Sequence, residues 1–428
     1  MLTSRLLALL LAIVLLVACG PPTAPQGDGD LDPGGNAAMT TRDVEAVADS
    51  LSDADAREVA GGVNALGFAL LEQLAAAAPP GENIVISPLS AAVLLALLRT
   101  GAGESAGAAI SQVLGQEPEA DEEAAPAFAA LLYRLRDPDD VELAVANALF
   151  AAPGYPLEPS FVERAGRSFE ATLENTDLGA QEGADRIDEW VTAETEGLIT
   201  EFAHQLGLPD PRAVLVLLNA VYFKGIWTTQ FDPDRTDEDG TFAREDGTPI
   251  TVPLMHEQDL RAGYRRGEHG TVGRLPYGDQ ERYAMEILLP PDGASLREAI
   301  TDLDAGAWAR LTADLPEPTI PVWLPRFDSE WESSLDDALK ALGMAPAYRN
   351  DYAPMSPRQP FLSTIQQKTF IRVDEEGTEA AAVTGGVMTE SKQADPDELR
   401  VDRPFLFTIT DAETGTILFL GAIADPTA

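Results

Sequence analysis

The chain is poor in several residues on which protein chemistry relies. Its 428 residues hold one cysteine, three histidines (His204, His256, His269) and four lysines (Lys224, Lys340, Lys368, Lys392). A single cysteine, Cys19, excludes any intramolecular disulfide. So few His and Cys form no zinc constellation, and no P-loop, HExxH or CxxC pattern occurs. No metal or cofactor is expected. Positive charge is scarce too: 29 Lys and Arg against 71 Asp and Glu leave a net charge of −42. Such a surface repels nucleic acid, anionic membranes and heparin-like polyanions. The acids are spread along the whole chain, which reads as a solvated surface suited to high salt, where screening relieves self-repulsion. What the chain does have is apolar content, 45% of residues, enough for one large core or two domains.

The N-terminus reads as a targeting segment. Arg5 precedes an apolar run over residues 6–17, too short to span a bilayer and of signal-peptide length. The run ends in Leu16-Val17-Ala18-Cys19, which resembles a bacterial lipobox. That resemblance makes residues 1–19 a lipoprotein signal and Cys19 the lipidated first residue of an exported protein. The protein would then be anchored at the cell surface or in the periplasm, touching membrane only through the lipid. The rival readings are an uncleaved anchor and a plain secretory signal. Residues 20–55, rich in Pro, Gly, Asp and Ala without an apolar period, read as a flexible tether.

From residue 56 onward the pattern is that of one mixed α+β domain. Val63, Leu66, Phe68, Leu70, Leu71 and Leu74 recur at helical spacing until Pro79-Pro80-Gly81. A short apolar strand, Ile84-Val85-Ile86, leads into Ser87 as N-cap and Pro88 at the first helical position. Residues 141–150 and 213–227 read as strands, the second long and buried by composition. Residues 187–199 have helical spacing. Short alternating segments fill residues 249–327, and residues 402–409 and 416–421 form a hairpin-like pair around a turn at 411–415. Gly103-Glu104-Ser105-Ala106-Gly107 fits the G-x-S-x-G nucleophile elbow of esterases. That elbow needs a strand ahead of it and a triad histidine after it. Here a helical run precedes it and no His has a supporting context, so it reads as a helix-to-helix turn, and no catalytic residue is expected.

The segment that organises the chain is Glu375-Glu376-Gly377-Thr378-Glu379-Ala380-Ala381-Ala382-Val383-Thr384-Gly385-Gly386. As an extended strand it alternates faces. Thr378, Ala380, Ala382, Thr384, Gly386 and Met388 share a charge-free face that can be buried, and Glu379 falls on the other. The segment carries the pattern of a strand waiting to join a sheet. It resembles the hinge of the reactive-centre loop of the serpins, Glu-x-Gly-Thr-Glu-Ala-Ala-Ala-x-Thr. The segments Asn83 to Ser90, 213–227 with Phe231-Asp232-Pro233, 324–327 and 402–421 resemble further serpin segments in the same order.

The resemblance implies an α+β serpin fold over residues 56–428, with three β-sheets, about nine helices and an exposed reactive-centre loop at about 375–400. It implies a hinge of Glu375, Gly377, Thr378, Glu379, Ala380, Ala381 and Ala382. It also implies a sheet-opening cluster of Ser87, Ser90, Asn219, Gln367 and Trp227, with Asn219 bonded to the two serines and Trp227 where the loop enters. Gln367 stands where the family has His. The implied function is protease inhibition by a suicide mechanism in which the cut loop inserts into the main sheet. The partner would be a serine-class protease, with cysteine class second, met by a monomer. A non-inhibitory carrier or protease substrate is the alternative. Counting sixteen residues from Glu375 places the scissile bond at Ser391–Lys392, with Lys392–Gln393 next.

Overall fold

The computed structural model describes residues 53–116, 124–135, 141–378 and 397–428. Cys19, Glu379, Ala380, Ala381, Ala382, Ser391, Lys392 and Gln393 lie outside the described residues. Helix α1 (Asp53–Ala77) begins slightly ahead of the expected domain start and buries Val63, Leu66, Phe68, Leu70 and Leu71. It stops before Pro79 and Pro80, which cannot continue the helix, and Gly81 turns the chain at a φ of 82°. Strand β1 (Ile84–Ile86) is wholly buried. Ser87 then caps α2 (Pro88–Arg99), its hydroxyl accepting from the Ser90 N–H, with Pro88 in the first turn. Residues 103–107 form the start of α3 (Glu104–Val113), and α2 rather than a strand precedes them. The Asp351 carboxylate accepts from the N–H groups of Ser105 and Ala106, so this turn is a structural cap and not a nucleophile elbow.

Three layers follow, with nine α-helices among the described residues. The remaining helices are α4 (Ala124–Leu135), α5 (Pro159–Phe169), α6 (Gln181–Glu194), α7 (Leu296–Thr301), α8 (Ala305–Thr312) and α9 (Asp336–Leu339). One sheet has six strands, in the order β1, β16 (Ile417–Ile423), β15 (Phe405–Asp411), β9 (Tyr283–Leu289), β8 (Gly270–Tyr277), β7 (Gly263–Gly267). Every residue of β9 and β16 is buried. Buried Glu286 of β9 is tolerated because Arg274, the Trp308 indole and Thr408 satisfy its carboxylate. A second sheet orders β14 (Leu399–Arg400), β10 (Thr319–Pro325), β6 (Pro249–Arg261) and β5 (Asp237–Ala243).

The third layer is divided. Its larger half orders β13 (Gly377–Thr378), β4 (Leu215–Ile226), β2 (Val141–Ala151) and β3 (Thr172–Asn175). Its smaller half pairs β11 (Phe327–Ser334) with β12 (Gln366–Val373). No ladder joins β4 to β12. The two face each other across a cavity of about 90 Å³, lined by Leu217, Asn219 and Val221 on one side and Gln367, Thr369 and Phe370 on the other. Those three β4 side chains remain half-exposed, which corrects the fully buried strand that composition implies: this stretch of β4 borders a gap. Helix α6 covers β2 and β4 with Ile187, Trp190 and Val191, the Trp190 indole meeting Phe150 edge-on at 6.1 Å. The helix ends at Glu194, short of the expected residue 199; Asp188 accepts from the Phe202 and Ala203 N–H groups and fastens the segment beyond.

Candidate functional site

The mouth of the gap is built around Trp227, just past the end of β4. Its indole stacks on Tyr277 at 4.4 Å between ring centres and 11° between planes, with Phe231 edge-on at 6.4 Å. Phe223 meets Tyr277 edge-on at 5.2 Å. Gly225 makes this stack possible, since a Cβ there would lie 2.8 Å from atoms of both Phe223 and Tyr277. The Trp227 indole N–H donates to the Asp374 carbonyl at 2.9 Å, and its backbone N–H to Glu376 O at 2.8 Å. The Phe231 N–H donates to Glu375 O at 2.9 Å.

These bonds hold the end of β12 as a turn. Asp374 Oδ1 accepts from the N–H groups of Glu376 and Gly377, and the Asp374 N–H donates to Gly377 O. Burial pushes the Asp374 carboxyl up; its two N–H donors oppose this, and the charges of Glu375 and Glu376 add to it. The buried Glu375 carboxylate accepts from Thr236 at 2.6 Å and pairs with Arg326 at 3.1 Å, and Arg326 also pairs with Glu238. The turn after β12 is therefore fastened to the loop ahead of β5 through Thr236 and to the link between β10 and β11 through Arg326.

Past the turn, β13 has begun a new strand. Gly377 pairs antiparallel with Ile226 and Thr378 with Gly225. A side chain at position 377 would meet Gly225 O at 2.0 Å, so this close approach needs glycine. Thr378 points inward, 4% exposed, and shares a 2.8 Å hydrogen bond with the Tyr277 hydroxyl. β13 runs antiparallel to β4 and folds back from β12, so its direction is along β4 toward the gap.

Below the mouth, Gln367 and Ser87 exchange two bonds: the Gln367 amide donates to Ser87 O at 3.0 Å and the Ser87 N–H to Gln367 Oε1 at 3.2 Å. The Ser87 hydroxyl donates to Leu418 O, and Ser90 lines the gap with it. Asn219 departs from the expectation. Its amide donates to Asn147 Oδ1 at 2.9 Å and to Ala146 O, across the β4–β2 ladder and not to the serines. The physical reason is register: Asn147 and Asn219 are direct cross-strand partners, closer than the helix below. Among the described residues Asn219 Oδ1 has no partner. Tyr277, Gly225, Thr236 and Arg326 also belong to the mouth; Gly225 and Arg326 fall inside the family-like segments 213–227 and 324–327, but the sequence gives none of the four this role, because each reaches the mouth from a separate strand or loop.

Comparison with known proteins places the chain in a family. The family described as Serpin (serine protease inhibitor) matches residues 62–426. The chain is 32% identical to Serpin-Z10 of Arabidopsis thaliana, over 83% of this chain and 95% of that one. It is 34% identical to Serpin B8 of Homo sapiens, over 81% and 93%. Among solved structures, the thermophilic serpin tengpin in its native state superposes with a TM-score of 0.75 at 24% identity, covering 86% of this chain and 94% of that one. Thyroxine-binding globulin in complex with thyroxine superposes equally well, at 0.75 and 23% identity over 86% and 99%, so this likeness speaks for the fold alone. The chain belongs to the serpin family.

Proposed function

We propose that the protein inhibits proteases as a consumed bait. The observation that carries this is the seated hinge: β13 pairs with β4 at the mouth of a sheet whose two halves have no ladder between them. A target protease attacks the carbonyl of Ser391, with Lys392 as the second choice; its serine oxygen forms an ester and the amine of the following residue leaves with a proton. The freed hinge then continues along β4 into the gap, carrying the acylated protease with it. Roughly fifteen residues at ~3.3 Å each move it on the order of 50 Å. The inserted backbone supplies the ladder that β4 and β12 lack. Ser391 suits a small specificity pocket, of the elastase or subtilisin kind; Lys392 suits a pocket with a carboxylate at its base. Export and lipidation at Cys19 complete the proposal. The rival is a non-inhibitory carrier. A small, charge-free and already seated Thr378 speaks against it.

The test is incubation with subtilisin and with trypsin, followed by denaturing electrophoresis and N-terminal sequencing of the released peptide. An SDS-stable complex with a peptide beginning at Lys392 supports the first bond, and one beginning at Gln393 the second. Cleavage at either bond without any stable complex contradicts the inhibitory reading.

A further inference from the structure

Resting on that reading, we infer that Tyr277 is a positioning residue: its hydroxyl holds Thr378 in the mouth of the sheet and keeps the first rung of the new strand formed before any protease arrives. Three observations carry this. Among the described residues, the Tyr277 and Thr378 hydroxyls are each other's only side-chain hydrogen-bond partners, at 2.8 Å. Both residues are buried, Tyr277 1% exposed and Thr378 4%, so no water replaces the bond while the hinge is seated. The ring itself cannot drift, being stacked on Trp227, met by Phe223 and backed by Gly225, which faces Thr378 across the ladder. Burial holds the phenol far above its usual range, so it stays a neutral hydroxyl.

The consequence is kinetic. Starting a strand costs the closure of its first rung before later residues contribute. In this chain that rung already exists, with Gly377 and Thr378 in register, so after cleavage the loop extends a strand rather than nucleating one. Insertion competes with hydrolysis of the acyl-enzyme, and the seat shortens the step on which that competition turns. Tyr277 touches no protease; it acts through Thr378.

Tyr277→Phe keeps the ring stack and removes the hydroxyl. Losing one hydrogen bond to a buried partner should raise hydrogen exchange at the Gly377 and Thr378 amides of the intact chain about fivefold to tenfold. Insertion after the loop is nicked by subtilisin, followed by Trp fluorescence in stopped flow, should slow by about the same factor. Thr378→Val, and the double variant Tyr277→Phe/Thr378→Val, should each match the single effect, because either change breaks the same bond. Unchanged exchange and insertion rates in Tyr277→Phe, or additive effects in the double variant, overturn the inference. A merely structural role would lower the thermal midpoint and leave the insertion rate alone, which also overturns it. If nicked wild-type protein gains no heat stability, the loop-insertion reading itself has failed. If wild-type protein gains it and Tyr277→Phe inserts at the wild-type rate, only the role of Tyr277 falls.

Discussion

Replacing Thr378 by arginine tests the insertion mechanism at its first step. Thr378 lies 4% exposed against Tyr277, inside a mouth walled by Trp227 and Phe223. The nearby Asp374 carboxylate is already engaged by the N–H groups of Glu376 and Gly377. A guanidinium forced into this site is a buried charge without a free partner, at a cost of about 3–5 kcal/mol. At tenfold per 1.36 kcal/mol, seating position 378 slows by about 100-fold to several thousand-fold. The side chain escapes by keeping the hinge in water, and the acyl-enzyme then has time to hydrolyse. Thr378→Arg should therefore be cut at the wild-type bond and released. The assay is the ratio of SDS-stable complex to cleaved product at fixed protease. A wild-type complex yield would refute the reasoning, since no inserted strand could carry that charge cheaply.

Other expectations follow from the same geometry. Gly377→Ala drives a Cβ into Gly225 O at 2.0 Å; the hinge should unseat, exchange amide hydrogens faster and yield less stable complex on gels. Asp374 has its carboxyl pushed above the usual 3.8, so its contribution to folding is present at low pH and is lost as pH rises through the folded value. Asp374→Asn keeps the acceptor and drops the charge, so the midpoint difference, variant minus wild type, should grow as pH rises from about 4 to 7; a flat difference contradicts this. Cys19→Ala should leave the protein soluble or unprocessed on cell fractionation, and a variant still membrane-bound and cut at the same place would remove the lipid anchor from the account.

Much of this molecule was legible in its sequence because its instructions are local. Ser87-Pro88 caps and starts α2 by its own chemistry, and Pro79-Pro80-Gly81 ends α1. The apolar alternation of residues 402–421 became the β15–β16 hairpin, with Phe405 opposite Ile423. Of the small-residue run, Gly377 and Thr378 lie among the described residues, and they form β13. What escaped were features made by distance. The half-exposed face of β4 depends on a gap that no single strand encodes. The partner of Asn219 depended on the register of β2 against β4, which placed Asn147 opposite it. Tyr277, Arg326 and Thr236 reach the turn at residues 374–378 from three different elements, and the sequence does not show that they meet there, even though Arg326 sits in the family-like segment 324–327.

The central claim is that the native fold stores an unfilled strand position. The most direct measurement compares thermal midpoints of intact and loop-nicked protein at matched salt. Insertion would add a ladder of roughly fifteen residues, each bond worth about 0.5–1.5 kcal/mol. On that scale the midpoint of nicked protein should lie higher by about 10 °C or more. Equal midpoints, or a lower one after nicking, would mean that the gap between β4 and β12 is never filled, and the inhibitory account would fall with it.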